Sequence, residues 1–266
     1  MTTTEKHILP VWETVIRSLR YTLYNRQALT LVAASALLAI AVQALLGFPA
    51  ACSFLPIACD IDSKFQAGIM ALLVLQFALV IKLCRMIVLN EGAKIFDFGF
   101  VKKLALYIIL YFVLSVLLSA WTVLLISLFS SFASQQTLIS QIGSILLVSI
   151  LVLSIIFAPI FLLAAAIAVG DKTFINLRKL FALTKGSRAN IVLSFILVWL
   201  PYLAIMIILR TVYGWLQTDN NVIVLLFTVL GLSFVMLDAG FKGAFLAHIY
   251  QFFKFYDTKE QKETKA

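Results

Sequence analysis

Apolar residues run in six long blocks, separated by short connections that carry most of the charge. The blocks lie near 28–48, 67–89, 104–130, 142–169, 191–210 and 222–246. About 20 apolar residues suffice to cross a hydrocarbon core of roughly 30 Å, and every block reaches that length. The runs are continuous rather than alternating, which argues against the strands of a barrel. Backbone groups in lipid must be satisfied within the segment, so each block is predicted to be an α-helix. The expected fold class is therefore all-α, a polytopic membrane protein whose six transmembrane helices form three hairpins. Pro159 in the fourth block and Pro201 in the fifth each remove a backbone donor and predict a kink.

The polar pattern adds a second layer. Before the first block, Val11, Trp12, Val15, Ile16, Leu19 and Leu23 recur at helical spacing, with Glu13, Arg17 and Arg20 off that stripe. Pro10 suits a helix start, and such a helix is expected to lie in the membrane interface. Before the fifth block, Asp171 can cap a helix, Phe174, Leu177 and Phe181 form a stripe, and Gly186 suits the helix end. The basic residues Lys172, Arg178, Lys179 and Lys185 face elsewhere on that expected interfacial helix. A weaker version, with Lys94, Lys102 and Lys103, precedes the third block. Each hairpin is thus led by a basic interfacial segment. Residues 1–256 read as one membrane domain. The tail at 257–266 alternates in charge sign, is almost wholly polar and is expected to be disordered.

The placement of positive charge orients the chain. With a cytoplasmic N-terminus, all 21 Lys and Arg residues except Lys64 and Arg210 fall on the cytoplasmic side or in helix ends facing it. That positive-inside pattern predicts cytoplasmic N- and C-termini. Trp121, Tyr213 and Trp215 are expected at the outer interface, where amphipathic rings favour the headgroup level. The first apolar run begins too far along the chain for a signal peptide and is read as a retained helix.

Composition bounds the class. Hydrophobic residues make up 63% of the 266 residues, against about 45–50% in an average soluble domain. The bilayer is the solvent that such a chain requires. The net charge of +9 lies almost entirely on the cytoplasmic side, so it points to anionic phospholipid headgroups and not to nucleic acid.

Little in the sequence suggests catalysis. His7 and His248 are the only histidines and stand at opposite ends. Together with three cysteines they make no recognisable metal pattern, and no cofactor is expected. Cys52 and Cys59 share the first outer connection, where a disulfide can form if that side is periplasmic. Asp238 is the outstanding single residue. Counted from Val222, it falls roughly 24 Å into the membrane, with Lys242 at i+4 in the favoured acid-first order. Lys82 and Arg85 reach similar depth from the second span. Charges at such depth are costly and normally paired. Two readings stay open: an ion pair locking helix ends, or a proton or substrate relay.

The segment Asn176-Leu177-Arg178-Lys179-Leu180-Phe181-Ala182-Leu183-Thr184-Lys185-Gly186 resembles a pattern in the YciC-like bacterial inner-membrane proteins, also found in the membrane domain fused to some glycerophosphodiester phosphodiesterases. The preceding Ala164 to Gly170 and the N-terminal unit ending Leu23-Tyr24-Asn25-Arg26-Gln27 are similar too. The chain departs at Leu180 and Phe181, where that pattern prefers Ser and Trp. The resemblance implies a six-helix architecture in a bacterial inner membrane and implies no activity. The expected role is non-enzymatic, supporting the envelope or binding a membrane-protein partner, with a small transporter or permease subunit as the alternative.

Overall fold

The computed structural model describes residues 8–46, 63–91, 98–130, 155–156, 158–216 and 221–263. Its α-helices are α1 (Val11–Tyr24), α2 (Arg26–Leu46), α3 (Ser63–Leu89), α4 (Phe98–Ser130), α5 (Pro159–Val169), α6 (Leu177–Leu183), α7 (Arg188–Leu216) and α8 (Asn221–Glu263). A short 3-10 turn, Lys172–Phe174, precedes α6. Among the described residues there is no strand.

Five helices are long and apolar enough to cross a bilayer, over Arg26–Leu45, Gln66–Leu89, Gly99–Trp121, Arg188–Leu216 and Val222–Thr258. The fourth expected block, 142–169, lies largely outside the described residues. Its described end is α5, whose 11 residues span only about 16 Å. Pro159 opens α5, where its missing N–H leaves no intrahelical bond unmade. Pro201 sits inside α7, as the sequence predicts.

The long helix α8 is the hub, packing on α1, α2, α3, α5 and α7. Its middle and later turns bury Ala239, Phe241, Phe245, Ala247, Ile249, Tyr250 and Phe253. Small residues let the neighbours approach, as is usual where lipid removes the hydrophobic drive for helix association. From α2 come Ala28, Val32, Ala36 and Ala39, on one face, and from α5 Ala164, Ala165, Ala166 and Ala168. On α8 itself, a Cβ at Gly240 would come within 2.9 Å of side-chain atoms of Thr22 and Val32. One at Gly243 would stand 2.8 Å from the carbonyl oxygen of Val80.

The helix α8 also runs on past Asp257 to Glu263, over much of the tail expected to lack structure. One ion pair accompanies it. Lys179 Nζ stands 2.7 Å from Asp257 Oδ2, which ties the helix to the segment leading into α7.

Helix α1 turns a different face inward from the one its apolar stripe predicts. Thr14, Val15, Ser18 and Thr22 are buried, while Trp12, Ile16 and Leu23 stay exposed. The buried hydroxyls need no outside partner. Thr14, Ser18 and Thr22 donate to the carbonyls of Pro10, Thr14 and Ser18 at 2.8, 2.7 and 3.1 Å. The helix thus has three faces: small hydroxyl-bearing residues against the bundle, large apolar residues outward, and Glu13, Arg17 and Arg20 on the third. Such a division suits a helix docked on a bundle at the membrane surface. Asn25 then separates α1 from α2. Its N–H donates to Tyr21 O at 3.0 Å, and its Oδ1 accepts from the N–H groups of Gln27 and Ala28 at 3.0 and 3.1 Å.

Candidate functional site

The helical spacing of Asp238 and Lys242 places them one turn apart on α8. Lys242 Nζ stands 2.5 Å from Asp238 Oδ2, and the Asp238 side chain is only 4% exposed. Asp238 Oδ1 is buried without a hydrogen-bond partner. Lys242 Nζ also lies 5.7 Å from the centre of the Trp199 ring on α7, within cation–π range. Arg85 turns elsewhere. It makes a two-pronged bond to Glu91, with Nε 2.8 Å from Oε2 and Nη2 on Oε1. The guanidinium matches a carboxylate in this way, so a partner only six residues away takes two of its nitrogens, while Nη1 stays buried without a hydrogen bond. Arg85, which the sequence groups with Asp238 by depth as a candidate member of the ion pair, therefore pairs with Glu91 instead. Lys82 is buried near the same end of α3.

Lys242 also lines a cavity of about 420 Å³ bounded by residues of α3, α4, α5, α7 and α8. Its wall is mainly aromatic and aliphatic, including Phe77, Leu110, Phe161 and Phe195. Gln76, Tyr107, Tyr111 and Ser115 add polar groups. No local sequence signal announces this cavity, because its lining comes from five helices.

A second polar cluster joins the basic segment to α8. The expected single helix over Lys172–Lys185 is instead the 3-10 turn, a break, and α6. Asp171 caps the turn, accepting from Thr173 N at 2.9 Å, and Asn176 caps α6, accepting from Lys179 N at 3.4 Å. The second cap was legible in principle, since Asn directly before an apolar helix is a start signal. Gly170 and Gly186 take left-handed φ values of 85° and 95°, closing α5 and the turn after α6. Phe174 and Leu180 are the buried apolar residues here, while Leu177 is exposed.

Asp171 also accepts from Lys254 Nζ at 2.9 Å, from Thr173 Oγ1 at 2.6 Å and from the Tyr250 hydroxyl. Burial works to raise its carboxyl, but the bonds from Thr173, Tyr250 and Lys254 outweigh that and hold it well below the ordinary carboxylate range. Lys179 is half-buried, over the Phe174 ring at 4.9 Å as well as on Asp257. Lys172, Arg178 and Lys185 are exposed. Two bonds missed by the sequence reading fasten the N-terminal segment nearby. Leu9 N donates to Ser187 Oγ at 3.2 Å, and Asn190 Nδ2 donates to Leu9 O at 3.0 Å.

Cys52 and Cys59 lie outside the described residues. Cys84 is a buried free thiol in α3. At the far end of the bundle Trp215 is exposed, whereas Tyr213 is buried against Phe227 at a ring separation of 5.5 Å.

No protein-family model matches the chain, and neither a curated protein nor a solved structure matches it.

Proposed function

We propose that this chain is a non-enzymatic multi-pass protein of a bacterial inner membrane, with six spans in three hairpins and both termini cytoplasmic. Its role is to hold anionic lipid headgroups, or a membrane-protein partner, on a fixed basic face. The observation that carries the reading is the latched segment between α5 and α7. Its Asp171 and Lys179 fasten it to Lys254 and Asp257 of α8, so Lys172, Arg178 and Lys185 are presented from an anchored support. Each Lys or Arg near an anionic surface contributes roughly 1 kcal/mol. The positive-inside distribution and the resemblance of residues 176–186 to YciC-like proteins support the location. A reporter active only in the cytoplasm, fused at Ala266, should give signal. Protein purified in mild detergent should retain anionic phospholipid, and changing Lys172, Arg178 and Lys185 together to Gln should release much of it. Equal retention by the two proteins would sink the basic-face reading.

The cavity beside Lys242 favours a second reading, a small transporter or permease subunit, since transport sites collect near the midplane. A cysteine at Gln76 that water-soluble thiol reagents reach from one side of the membrane would support it.

A further inference from the structure

We infer that the cavity beside Lys242 binds one acyl chain ending in an acidic group, with the carboxylate or phosphate against the Lys242 ammonium. This goes beyond the basic face, which lies at a different place on the molecule. The location comes first. Trp199 is eleven residues into α7 and Val80 nine residues before the end of α3, so the cavity lies about 15 Å inside the helix ends. That is membrane depth, where an ionisable side chain facing a cavity is a candidate site.

The lining then selects the ligand. The wall is largely hydrocarbon and aromatic, which suits an alkyl chain. A volume of about 420 Å³ falls within the roughly 300–1,000 Å³ typical of ligand pockets. An ammonium has three donors, and Asp238 Oδ2 takes one. An acidic headgroup offers oxygens to the others, and the Gln76 amide also lines the cavity. A cationic headgroup would instead meet Lys242 with repulsion.

The route of entry agrees. Helix α4 packs on α3 and α5, and α7 packs on α1 and α8, so α4 and α7 flank the cavity without forming a broad interface. Tyr111, Leu117 and Trp199, which line it, are exposed to the surroundings of the bundle. Among the described residues the opening is therefore sideways, towards lipid, and admits an amphiphile already dissolved in the bilayer.

The test uses Trp199 as the reporter. The full chain carries Trp12→Phe, Trp121→Phe and Trp215→Phe, is reconstituted in zwitterionic bilayers, and is titrated with stearic acid brominated along its chain. Saturable quenching of Trp199 is expected, and the brominated methyl ester should need about tenfold more to reach the same quenching, because it lacks the charged bond to Lys242. Lys242→Gln combined with Asp238→Asn, which leaves no unpaired buried charge, should erase the acid–ester difference. Ala164→Phe, filling the cavity, should abolish saturation. A brominated lysophosphatidate arm separates the sources: tighter binding than the fatty acid assigns the site to a phospholipid, and weaker binding assigns it to a free fatty acid. Quenching that rises without saturation and equally for acid and ester overturns the proposal. Native mass spectrometry of the unmodified chain with stearate and methyl stearate gives the same comparison without any variant, and equal occupancy there would overturn it too.

Discussion

The opening turns of α8 and its stretch from Leu232 to Phe253 are equally helical and both apolar, yet they pack differently. In the opening turns Val222, Leu225 and Leu226 are exposed. In the later stretch Leu232, Met236, Ala239, Phe241, Phe245, Ile249 and Phe253 are buried beneath neighbouring helices. A similar trend runs through α7, where Ile191, Val192 and Val198 are buried and Ile207, Ile208 and Trp215 are exposed, with Tyr213 against Phe227 as an exception at the far end. In water, large apolar side chains would mark the buried part. In lipid they mark nothing, because hydrocarbon satisfies them on either side. What distinguishes the packed part is close-packed glycines and alanines and ion pairs between elements.

The largest expected effect falls on the one acidic residue buried in that part. Asp238→Asn removes the partner of Lys242 and leaves its charge among apolar walls. Breaking such a pair should cost about 3 kcal/mol, the low end of the range because Lys242 keeps some exposure. Thermal unfolding in detergent should show the loss, and adding Lys242→Gln should recover most of it. A single variant as stable as the parent would mean that this pair is not what distinguishes the packed part, and would favour a relay role for Asp238.

Close approach should matter next. At Gly243 a Cβ would stand 2.8 Å from the carbonyl oxygen of Val80 and 3.1 Å from its Cα. Backbone cannot swing aside as a side chain can, so α3 and α8 must separate. Gly243→Ala should therefore destabilise by about 2 kcal/mol despite the better helix propensity of alanine. Unchanged thermal stability would show that the two helices are not in this contact.

Much of this was legible in the chain and some was not, for physical reasons. Span positions follow from length and hydropathy, so the block read at 67–89 is the core of α3. The Asp238–Lys242 spacing is local, and so is the capping chemistry of Asp171 and Gly186. The partner of Arg85 was missed because Glu91 lies beyond the helix end, where no periodicity places it. The buried face of α1 was missed because Trp12, Ile16 and Leu23 outrank Thr14, Ser18 and Thr22 on any hydrophobicity scale, and the interface sets that ranking aside. The cavity is assembled from five helices, and no window of sequence contains it. The tie between the end of α8 and the segment before α7 comes from Lys179, far away in the chain.

A smaller effect is expected at the latch. Asp171→Asn removes the charge that Lys254 and Tyr250 share. Because Lys254 is half-exposed, the loss should be near the lower end for charged hydrogen bonds, about 1.5 kcal/mol. The pH dependence follows from the lowered carboxyl. A depressed folded-state pKa gives stability that is present above the unfolded value, near 3.9, and is lost as pH falls towards the folded value. The gap between parent and Asn variant should stay constant above about pH 5 and shrink on acidification below about pH 4. A gap that instead widens in acid would mean that Asp171 is not held as the anion.

The smallest effect should come from a glycine in the exposed part, and it tests the comparison most directly. Gly214 lies in the last turn of α7, and a Cβ added there meets nothing within 4 Å. Its φ is not in the left-handed region, so alanine fits the backbone without strain. Three costs that apply at Gly243 are therefore missing: no carbonyl is struck, no helix is displaced, and no neighbour must repack. Gly214→Ala should change stability by less than about 0.5 kcal/mol, as surface substitutions usually do, with any shift towards greater stability because alanine restricts the unfolded chain. The same chemical change, one methyl on a helical glycine, thus separates the two parts by its consequence alone. If Gly214→Ala proved as damaging as Gly243→Ala in the purified monomer, the face of α7 that carries Gly214 would have to be packed within the chain. If it damaged only an oligomer, resolved by size-exclusion with light scattering, that face would be an interface between copies.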